Sequence, residues 1–442
     1  MQSCVADFSQ LGSDVAAAHP RSVRVGLEKS RPRECQSSSS SFADSMSRWP
    51  SCPSPVLEFS RPMDFAFSDH QVLLRDTVRQ FMETEVRPHV KDWERTDHFP
   101  LETIQKLGAL GCCGMLIPEE WGGAGFDTVS YVLMLEEVAR VHTAMCTALS
   151  VTNSAVQLPL LAYGTEAQKS RYLKSLASGK IIGSFCLTEP AAGSDAAGIQ
   201  MTAVRYGDHY KLNGAKTWVT NGSAARMLIV FAKTNPAAGG KGISAFLLEP
   251  DMPGFKVGRH EDKMGQRSSP SVELIFNDCI VPAGNRLGEE GHGLRIALSA
   301  LDGGRVGIAA QAVGLAQGAL DESVKYARAR KAFGQPIGEF QAVQWMLADM
   351  HTEIEAARSL LYQAAFLKDS GQKMGSSSSR AKLYASEMVN RVVYKAVQIH
   401  GSLGYSRESE VERMYRDARV LSIYEGTSEI QRTIIARDVL RS

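Results

Sequence analysis

The chain has 442 residues, 44% of them hydrophobic and 22% charged, a composition typical of an ordinary globular protein of two or three domains. Its net charge of +1 argues against a nucleic-acid-binding surface, and no uninterrupted apolar run approaches the roughly 18 residues of a membrane span. The eight cysteines show no CxxC or Cys/His metal-ligand spacing, so we expect free thiols in a reducing compartment and no metal site.

Residues 1–62 differ in composition from the rest of the chain. They hold 15 serines and six of the 17 prolines and lack hydrophobic periodicity, which is typical of disorder. Their seven basic and six acidic residues do not match the acid-poor composition of a mitochondrial transit peptide. We favour a mis-assigned start codon, with translation beginning at Met63, over a targeting segment, and we expect residues 1–62 to be dispensable for folding and activity.

Residues 63–180 are predicted to form an α-helical domain. Apolar residues at positions 72, 73, 78, 81, 82 and 86 recur at the three- and four-residue spacing of an amphipathic helix. After a turn-rich segment at 118–125, further helices are predicted over about 127–140, 145–163 and 166–178.

Residues 181–288 are predicted to form a β domain. Short apolar runs at 181–188, 210–219, 227–232, 243–248 and 272–281 are separated by Gly, Pro, Asn and Asp. Helical patterns return over 289–442 and include a long helix at about 294–329. Because helices and strands do not alternate, a Rossmann dinucleotide fold is disfavoured, and we expect a mainly α protein with a β domain in its middle.

The most informative stretch is residues 421–431, LSIYEGTSEIQ. Glu425 follows an apolar and aromatic run and precedes Gly426, which would allow a substrate to approach the backbone closely. Thr427 and Ser428 begin a predicted C-terminal helix. Burial beside apolar side chains would raise the pKa of Glu425 toward that of a general base, whereas a helix-capping acid is the alternative interpretation.

Four further motifs favour catalysis. They are FCLTEPAAGSD at 185–195, KTWVTNG at 216–222, RKAFGQPI at 330–337 with Gln341 beyond it, and QIHGSLGY at 398–405. Together with residues 421–431, and in this order, they resemble the acyl-CoA dehydrogenase family, most closely its short-chain (butyryl) branch. The resemblance extends from Met63 to the last residue. It implies an N-terminal helical domain (63–180), a middle antiparallel β-barrel or sandwich (181–288) and a C-terminal helical bundle (289–442).

The resemblance implies FAD as the cofactor and assigns contacts with it to three segments. These contacts are Phe185, Leu187, Thr188, Gly193, Ser194, Trp218, Val219, Thr220, Thr427, Ser428 and Glu429. A fourth set would reach the FAD of a neighbouring subunit in a homotetramer built as a dimer of dimers: Arg330, Gln341, Gln398, Ile399, His400, Gly401 and Ser402. Taken singly, Trp218 could be a sheet-core residue, Arg330 a solvated helix-end cation and His400 a packed histidine.

The resemblance also assigns contacts with an acyl-CoA substrate to Ser194, Asp302, Gly303, Gly304, Arg305, Tyr424 and Gly426. Each glycine inside a helix costs about 1 kcal/mol relative to alanine, so the Gly303–Gly304 pair suggests close packing against a ligand or another helix. Some branched-chain members of the family carry their catalytic base at the position of Gly304. Glycine cannot serve as a base, which leaves Glu425.

The implied reaction is α,β-dehydrogenation of an acyl-CoA to trans-2-enoyl-CoA. Glu425 would take the α-proton, flavin N5 would accept the β-hydride, and electron-transfer flavoprotein would receive the electrons. The backbone N–H of Glu425 and a flavin ribityl hydroxyl would polarise the thioester carbonyl. We expect a cytoplasmic protein in a bacterium or a matrix protein in mitochondria. An acyl-CoA oxidase, a DNA-alkylation-response flavoprotein of the same fold and a non-catalytic scaffold are the alternatives.

Overall fold

Helices form the first part of the chain in a computed structural model that describes residues 66–372 and 374–441, so the predicted extension at 1–62 lies outside the described residues. The helices are α1 (Asp69–Phe81), α2 (Val90–Thr96), α3 (Leu101–Ala109), α4 (Thr128–Val141), α5 (Thr143–Ser150), α6 (Leu158–Tyr163) and α7 (Glu166–Ala177). A π-helical segment, Val151–Gln157, joins α5 directly to α6. The helix predicted over 145–163 is therefore one helical run with a widened segment in its middle.

Capping motifs begin two of these helices. Ser68 accepts a hydrogen bond from the backbone N–H of Gln71 (3.3 Å), and the Gln71 side chain accepts one from the Ser68 N–H (3.1 Å). Thr165 and Gln168 make the same reciprocal pair at the start of α7. Each pair satisfies two backbone donors that have no partner inside the helix.

Strands follow in the middle of the chain and form one sheet. They are β1 (Gly183–Cys186), β2 (Thr202–Tyr206), β3 (His209–Thr220), β4 (Met227–Lys233), β5 (Ile243–Leu248), β6 (Phe255–His260), β7 (Ser271–Pro282) and β8 (Arg286–Leu287). Their order is β6-β7-β3-β2-β4-β5-β8, with β1 beside β4. The sheet is mostly antiparallel, but β1 and β2 pair with β4 in parallel. β2 and β6 were not predicted, because most of their residues are exposed or half-buried and neither presents an apolar run.

Helices return after the sheet and confirm the predicted order of helices, strands and helices. They are α8 (Gly293–Ala329), α9 (Gln341–Asp369), α10 (Ser377–His400), α11 (Glu410–Ala418) and α12 (Ser428–Val439), and the short strands β9 (Lys331–Ala332) and β10 (Gln335–Pro336) lie between α8 and α9. α8 packs closely on α4, since a Cβ added at Gly314 would lie 2.9 Å from the Cα of Glu136. Glycine at this point lets the two backbones approach, which fixes the position of α8.

The helical run Thr143–Tyr163 is long and apolar enough to cross a membrane by length and composition alone. Within the fold, 83% of its most apolar 18-residue window is buried. Within the described part of the chain, no group of three or more His, Cys, Asp and Glu side chains is arranged to hold a metal ion. The described cysteines, Cys112, Cys113, Cys146, Cys186 and Cys279, are free and buried.

Candidate active site

Glu425 lies on a turn between a short 3₁₀ helix, Arg419–Ser422, and α12. Its backbone is left-handed, with φ of +53°, and Gly426 follows with φ of +89°. The predicted C-terminal helix is confirmed: the Thr427 hydroxyl caps it by accepting a hydrogen bond from the Ile430 N–H (3.4 Å). Left-handed backbone is strained for a residue other than glycine, so the surrounding structure must hold Glu425 in this conformation.

The Glu425 carboxylate packs directly against α8 at Gly304. A Cβ added at Gly304 would lie 2.8 Å from the Glu425 carboxyl carbon and 3.1 Å from Oε1, closer than van der Waals contact allows. At Gly303 the nearest atom to an added Cβ is 3.6 Å away, on Leu158, which is an ordinary contact. The absence of a side chain at Gly304 is therefore what makes room for the carboxylate.

Burial raises the pKa of Glu425 to about 7, and the nearby charges of Arg305 and Lys382 oppose the rise. Oε2 of Glu425 is shielded from solvent and has no hydrogen-bond partner among the described residues. Arg305 is buried and forms an ion pair with Asp302 one turn earlier on α8. A carboxyl with a pKa near 7 is poised between its two protonation states, which suits a general base at neutral pH.

Lys382 contacts the same turn but was not predicted as a site residue. Its side chain is fully buried, and Nζ donates a hydrogen bond to the Gly426 carbonyl at 2.7 Å. The Gln431 side chain donates to the carbonyls of Glu425 (3.2 Å) and Gly426 (3.0 Å). The sequence did hold one signal, because Lys382 lies on the buried stripe of α10 beside Ala381 and Ala385, where a lysine is rarely found.

A chain of buried hydrogen bonds fixes Tyr424, the residue before Glu425. The Tyr424 hydroxyl donates to Gln311 Oε1 (2.6 Å), and Gln311 Nε2 donates to Thr147 Oγ1 (2.6 Å). Thr147 donates in turn to Gln266 Oε1 (2.6 Å), whose backbone N–H donates to Asp417 (2.5 Å). The chain joins α5, α8, α11 and the segment between β6 and β7 to the turn that carries Glu425. Only Tyr424 among these residues was predicted.

The first two predicted cofactor motifs lie side by side at the sheet. The Thr217 N–H donates to the Thr188 carbonyl at 3.0 Å, and a buried ion pair between Lys216 and Glu189 (2.8 Å) joins the same two segments. Trp218 sits at a bulge in the pairing of β3 with β7, has φ of +58° and is 59% exposed. The interpretation of Trp218 as a sheet-core residue is therefore wrong.

The other predicted residues of these motifs differ in exposure. Phe185 and Thr188 are half-buried, Leu187 and Val219 are buried, Thr220 ends β3 half-buried, and Gly193 and Ser194 are exposed on the loop after β1. Thr217 Oγ1 and Ser428 Oγ are buried and have no hydrogen-bond partner in the described part of the chain. An exposed indole beside an unpaired hydroxyl fits a flat aromatic ligand with polar edges.

Two of the remaining predicted cofactor residues, Arg330 and His400, meet at Tyr326. The Arg330 N–H donates to the Tyr326 carbonyl at 2.8 Å, and the Tyr326 ring stacks on His400 at a centroid distance of 4.4 Å. His400 Nδ1 lies 2.8 Å from the Ala396 carbonyl, and burial lowers the His400 pKa, so this side chain is packed and neutral. Ile399 is buried, whereas Arg330, Gln341, Gln398, Gly401, Ser402 and Glu429 are exposed.

Comparison with known families identifies this arrangement. Models of the N-terminal, middle and C-terminal domains of acyl-CoA dehydrogenases match residues 68–180, 184–279 and 291–440. The chain belongs to the acyl-CoA dehydrogenase family. Acyl-CoA dehydrogenases are flavin-dependent oxidoreductases, which agrees with the predicted class of enzyme.

Individual acyl-CoA dehydrogenases are similar over most of the chain. The short-chain-specific acyl-CoA dehydrogenase of Clostridium acetobutylicum is 45% identical over 86% of this chain and 100% of its own length. The butyryl-CoA dehydrogenase structure from Megasphaera elsdenii superposes with a TM-score of 0.84, at 44% identity over 86% of this chain and 100% of that one. A chain from work on the electron transferring flavoprotein of Acidaminococcus fermentans gives a TM-score of 0.85, at 46% identity and the same coverage.

Replacement of Gly304 by alanine tests the geometry of the carboxylate. The new methyl group would displace the Glu425 carboxyl, so we expect acyl-CoA-dependent flavin reduction to slow about tenfold or more, since a 1 Å misplacement near the reacting atoms can cost 10²-fold. Gly303→Ala is the matched control for packing: its methyl group meets no protein atom closer than 3.6 Å, so at saturating acyl-CoA it should slow reduction much less, although Gly303 is itself a candidate substrate contact. Stopped-flow absorbance at the flavin band measures both, and equal losses would contradict the assignment.

Proposed function

We propose that this protein is an FAD-dependent acyl-CoA dehydrogenase that converts a short-chain acyl-CoA to its trans-2-enoyl-CoA and passes the electrons to electron-transfer flavoprotein. The observation that carries the proposal is the Glu425 carboxylate, whose Oε2 is shielded and unpaired among the described residues and which lies against a glycine of α8. No capping role explains this placement, because Thr427 caps α12.

Glu425 would act as the base that removes the α-proton. The α-hydrogen of a thioester is only weakly acidic. The base must therefore have a pKa near 7, and the thioester carbonyl must be polarised. Burial raises the pKa of Glu425 into this range. The backbone N–H of Glu425 is our candidate for the carbonyl donor, while Tyr424, Gly426, Asp302, Gly303, Gly304, Arg305 and Ser194 are candidates for substrate contacts.

FAD would bind where the loop after β1 meets β3 and the start of α12. Thr188, Trp218, Thr220 and Ser428 would hold it, together with the other residues of these motifs, and bound FAD supplies the acceptor for the β-hydride. The first N–H groups of α12 favour anionic groups of a ligand. The unpaired Thr217 and Ser428 hydroxyls and the exposed Trp218 indole support this placement.

The side chains packed against α8 one turn beyond Gly304 favour a substrate with a short acyl chain. A Cβ added at Gly307 would lie 2.5 Å from Ser150 Oγ and 3.3 Å from the Tyr131 hydroxyl, so these side chains press against α8 there. Three residues of helix rise about 4.5 Å. An acyl chain that ran along α8 from Glu425 toward Gly307 would meet this polar barrier within one turn, which favours butyryl-sized substrates.

Anaerobic titration of the purified flavoprotein with butyryl-, octanoyl- and palmitoyl-CoA tests this function. We expect butyryl-CoA to bleach the flavin fastest and palmitoyl-CoA slowest. Bleaching by no acyl-CoA would overturn the proposal. Rapid reoxidation in air with release of peroxide would identify an acyl-CoA oxidase instead, whereas slow reaction with oxygen and rapid reoxidation by electron-transfer flavoprotein would support a dehydrogenase.

Glu425→Gln tests the base. The variant should keep its flavin and bind acyl-CoA but reduce the flavin roughly 10²- to 10⁴-fold more slowly, the usual contribution of a general base. In the wild type, kcat/KM should rise as pH passes through about 7, because only ionised Glu425 takes the proton.

Stability gives an independent check on the same variant. The folded-state pKa of Glu425 is raised from 4.5 to about 7, so the wild type loses stability as pH rises across this interval. Glutamine does not titrate, and Glu425→Gln should therefore gain unfolding free energy over the wild type between pH 5 and pH 8 in denaturant titrations. A constant difference across this range would contradict the raised pKa.

We further propose a homotetramer in which residues 330–341 and 398–402 contact the FAD of a neighbouring subunit. Large apolar side chains are exposed in or near these segments, with Phe333 96%, Tyr405 88% and Trp345 65% exposed. Exposure of this kind is typical of surfaces that another chain covers. Arg330 would supply a fixed charge for the FAD diphosphate.

Arg330→Ala should therefore release FAD and weaken the dimer together. Arg328→Ala removes a charge of the same sign from the last turn of α8 and is the matched control. This variant should retain both its FAD and its dimer. Sizing chromatography with detection at the flavin band measures the two properties at once. A wild-type monomer with stoichiometric FAD would refute the shared site and leave the role of Glu425 intact.

A further inference from the structure

We propose that Lys382 is a positioning residue for the base: it holds the Glu425–Gly426 turn through the Gly426 carbonyl and adds, beside Arg305, a second cation that favours ionised Glu425. The inference rests on the proposed function, in which Glu425 is the base.

The surroundings of Lys382 require a negative charge nearby. Its side chain is fully buried in α10, and the hydrogen bond it makes, 2.7 Å to the Gly426 carbonyl, is to a neutral group. A buried ammonium group without a nearby negative charge is costly. Glu425 exerts the largest attraction on Lys382, and Arg305 repels it. Burial lowers the pKa of Lys382 to about 8, so the side chain is still protonated at neutral pH.

Two cations lie near Glu425 and differ in their own partners. Arg305 faces it from α8, but Arg305 already forms an ion pair with Asp302. Lys382 faces it from α10 and has no hydrogen-bonded carboxylate among the described residues. The other titratable neighbours are Tyr131 from α4 and Tyr424, which are neutral, and Glu429 on α12, which is exposed. Both cations therefore favour ionised Glu425, Arg305 the more strongly, and Lys382 is the one that has no carboxylate partner of its own among the described residues.

Lys382 also helps to hold the strained turn that carries Glu425. Glu425 and Gly426 both have positive φ, and their two carbonyls accept three hydrogen bonds from the side chains of Lys382 and Gln431. Both donors are fully buried, so water does not compete for these bonds. Lys382 and Gln431 hold the same turn, but Lys382 alone adds a charge. This difference separates the positioning role from a purely structural one.

Lys382→Met and Lys382→Gln, made in the full-length flavoprotein, test the proposal. Methionine keeps the length of the side chain without charge or donor, whereas glutamine keeps a donor without charge. Protonation of Glu425 is followed in substrate-free protein by infrared difference spectra against Glu425→Gln. We expect both variants to lower the acidity constant of Glu425 about tenfold, since an opposite charge at close range typically shifts a carboxyl pKa by one or more. The rise of kcat/KM should move to higher pH by the same factor.

Gln431→Met is the matched control, because it removes the other donor to the turn and changes no charge. It should lower kcat without moving the acidity constant of Glu425. Unchanged titration of Glu425 in both Lys382 variants, or an equal shift in Gln431→Met, would overturn the proposal. The infrared titration needs no turnover, so a wild type that dehydrogenates no acyl-CoA would refute the proposed function while the coupling of Lys382 to Glu425 is still measured.

Discussion

The contact between the Glu425 carboxylate and the backbone of α8 at Gly304 is the constraint on which the rest of the site depends. A carboxylate oxygen that is shielded from water and unpaired is unfavourable in a folded protein, so neighbouring groups must hold it there. Close packing of α4 on α8 at Gly314 fixes one side of the contact. Lys382 and Gln431 fix the other side through the carbonyls of the turn.

Four of the seven non-glycine residues that have positive φ in the described part of the chain lie in its sequence motifs. Trp218, Phe333 and Glu425 all have positive φ, and each stands in a different motif of the family. Strained conformations persist only where the surroundings over-determine them. For Glu425 the surroundings include a hydrogen-bond chain that reaches Asp417 through Tyr424, Gln311, Thr147 and Gln266. That chain includes residues of α5, which precedes the strands in sequence, of α8 and α11, which follow them, and of the segment between β6 and β7. The geometry of Glu425 therefore depends on correct packing of the helices against the sheet.

The sequence pattern predicted elements in which most residues are buried, such as α8 and the apolar strands β4 and β5. It did not predict β2 and β6, whose residues are mostly exposed or half-buried. The turn that carries Glu425 could be singled out from the sequence because Glu425, Gly426 and Thr427 are neighbours in it. The groups that tune it were not singled out, because they approach only in three dimensions. Gln311 and Thr147 are 164 positions apart, and Lys382 is 44 from Gly426. A local pattern carries no information about such pairs, although a lysine on an apolar helix stripe could have been noticed.

Charge balance explains why the site contains two cations for one base. With Glu425 ionised, the carboxylates of Glu425 and Asp302 balance Arg305 and Lys382, and the pocket holds no net charge, which suits binding of an uncharged acyl group. In the proposed reaction, transfer of the α-proton to Glu425 would remove one negative charge and leave these four side chains with a net positive charge. That positive charge appears when negative charge develops on the thioester oxygen, so it stabilises the transition state more than the ground state. With Arg305 alone, these side chains would carry a net negative charge while Glu425 is ionised, so the ionised base would be less favoured than it is with both cations.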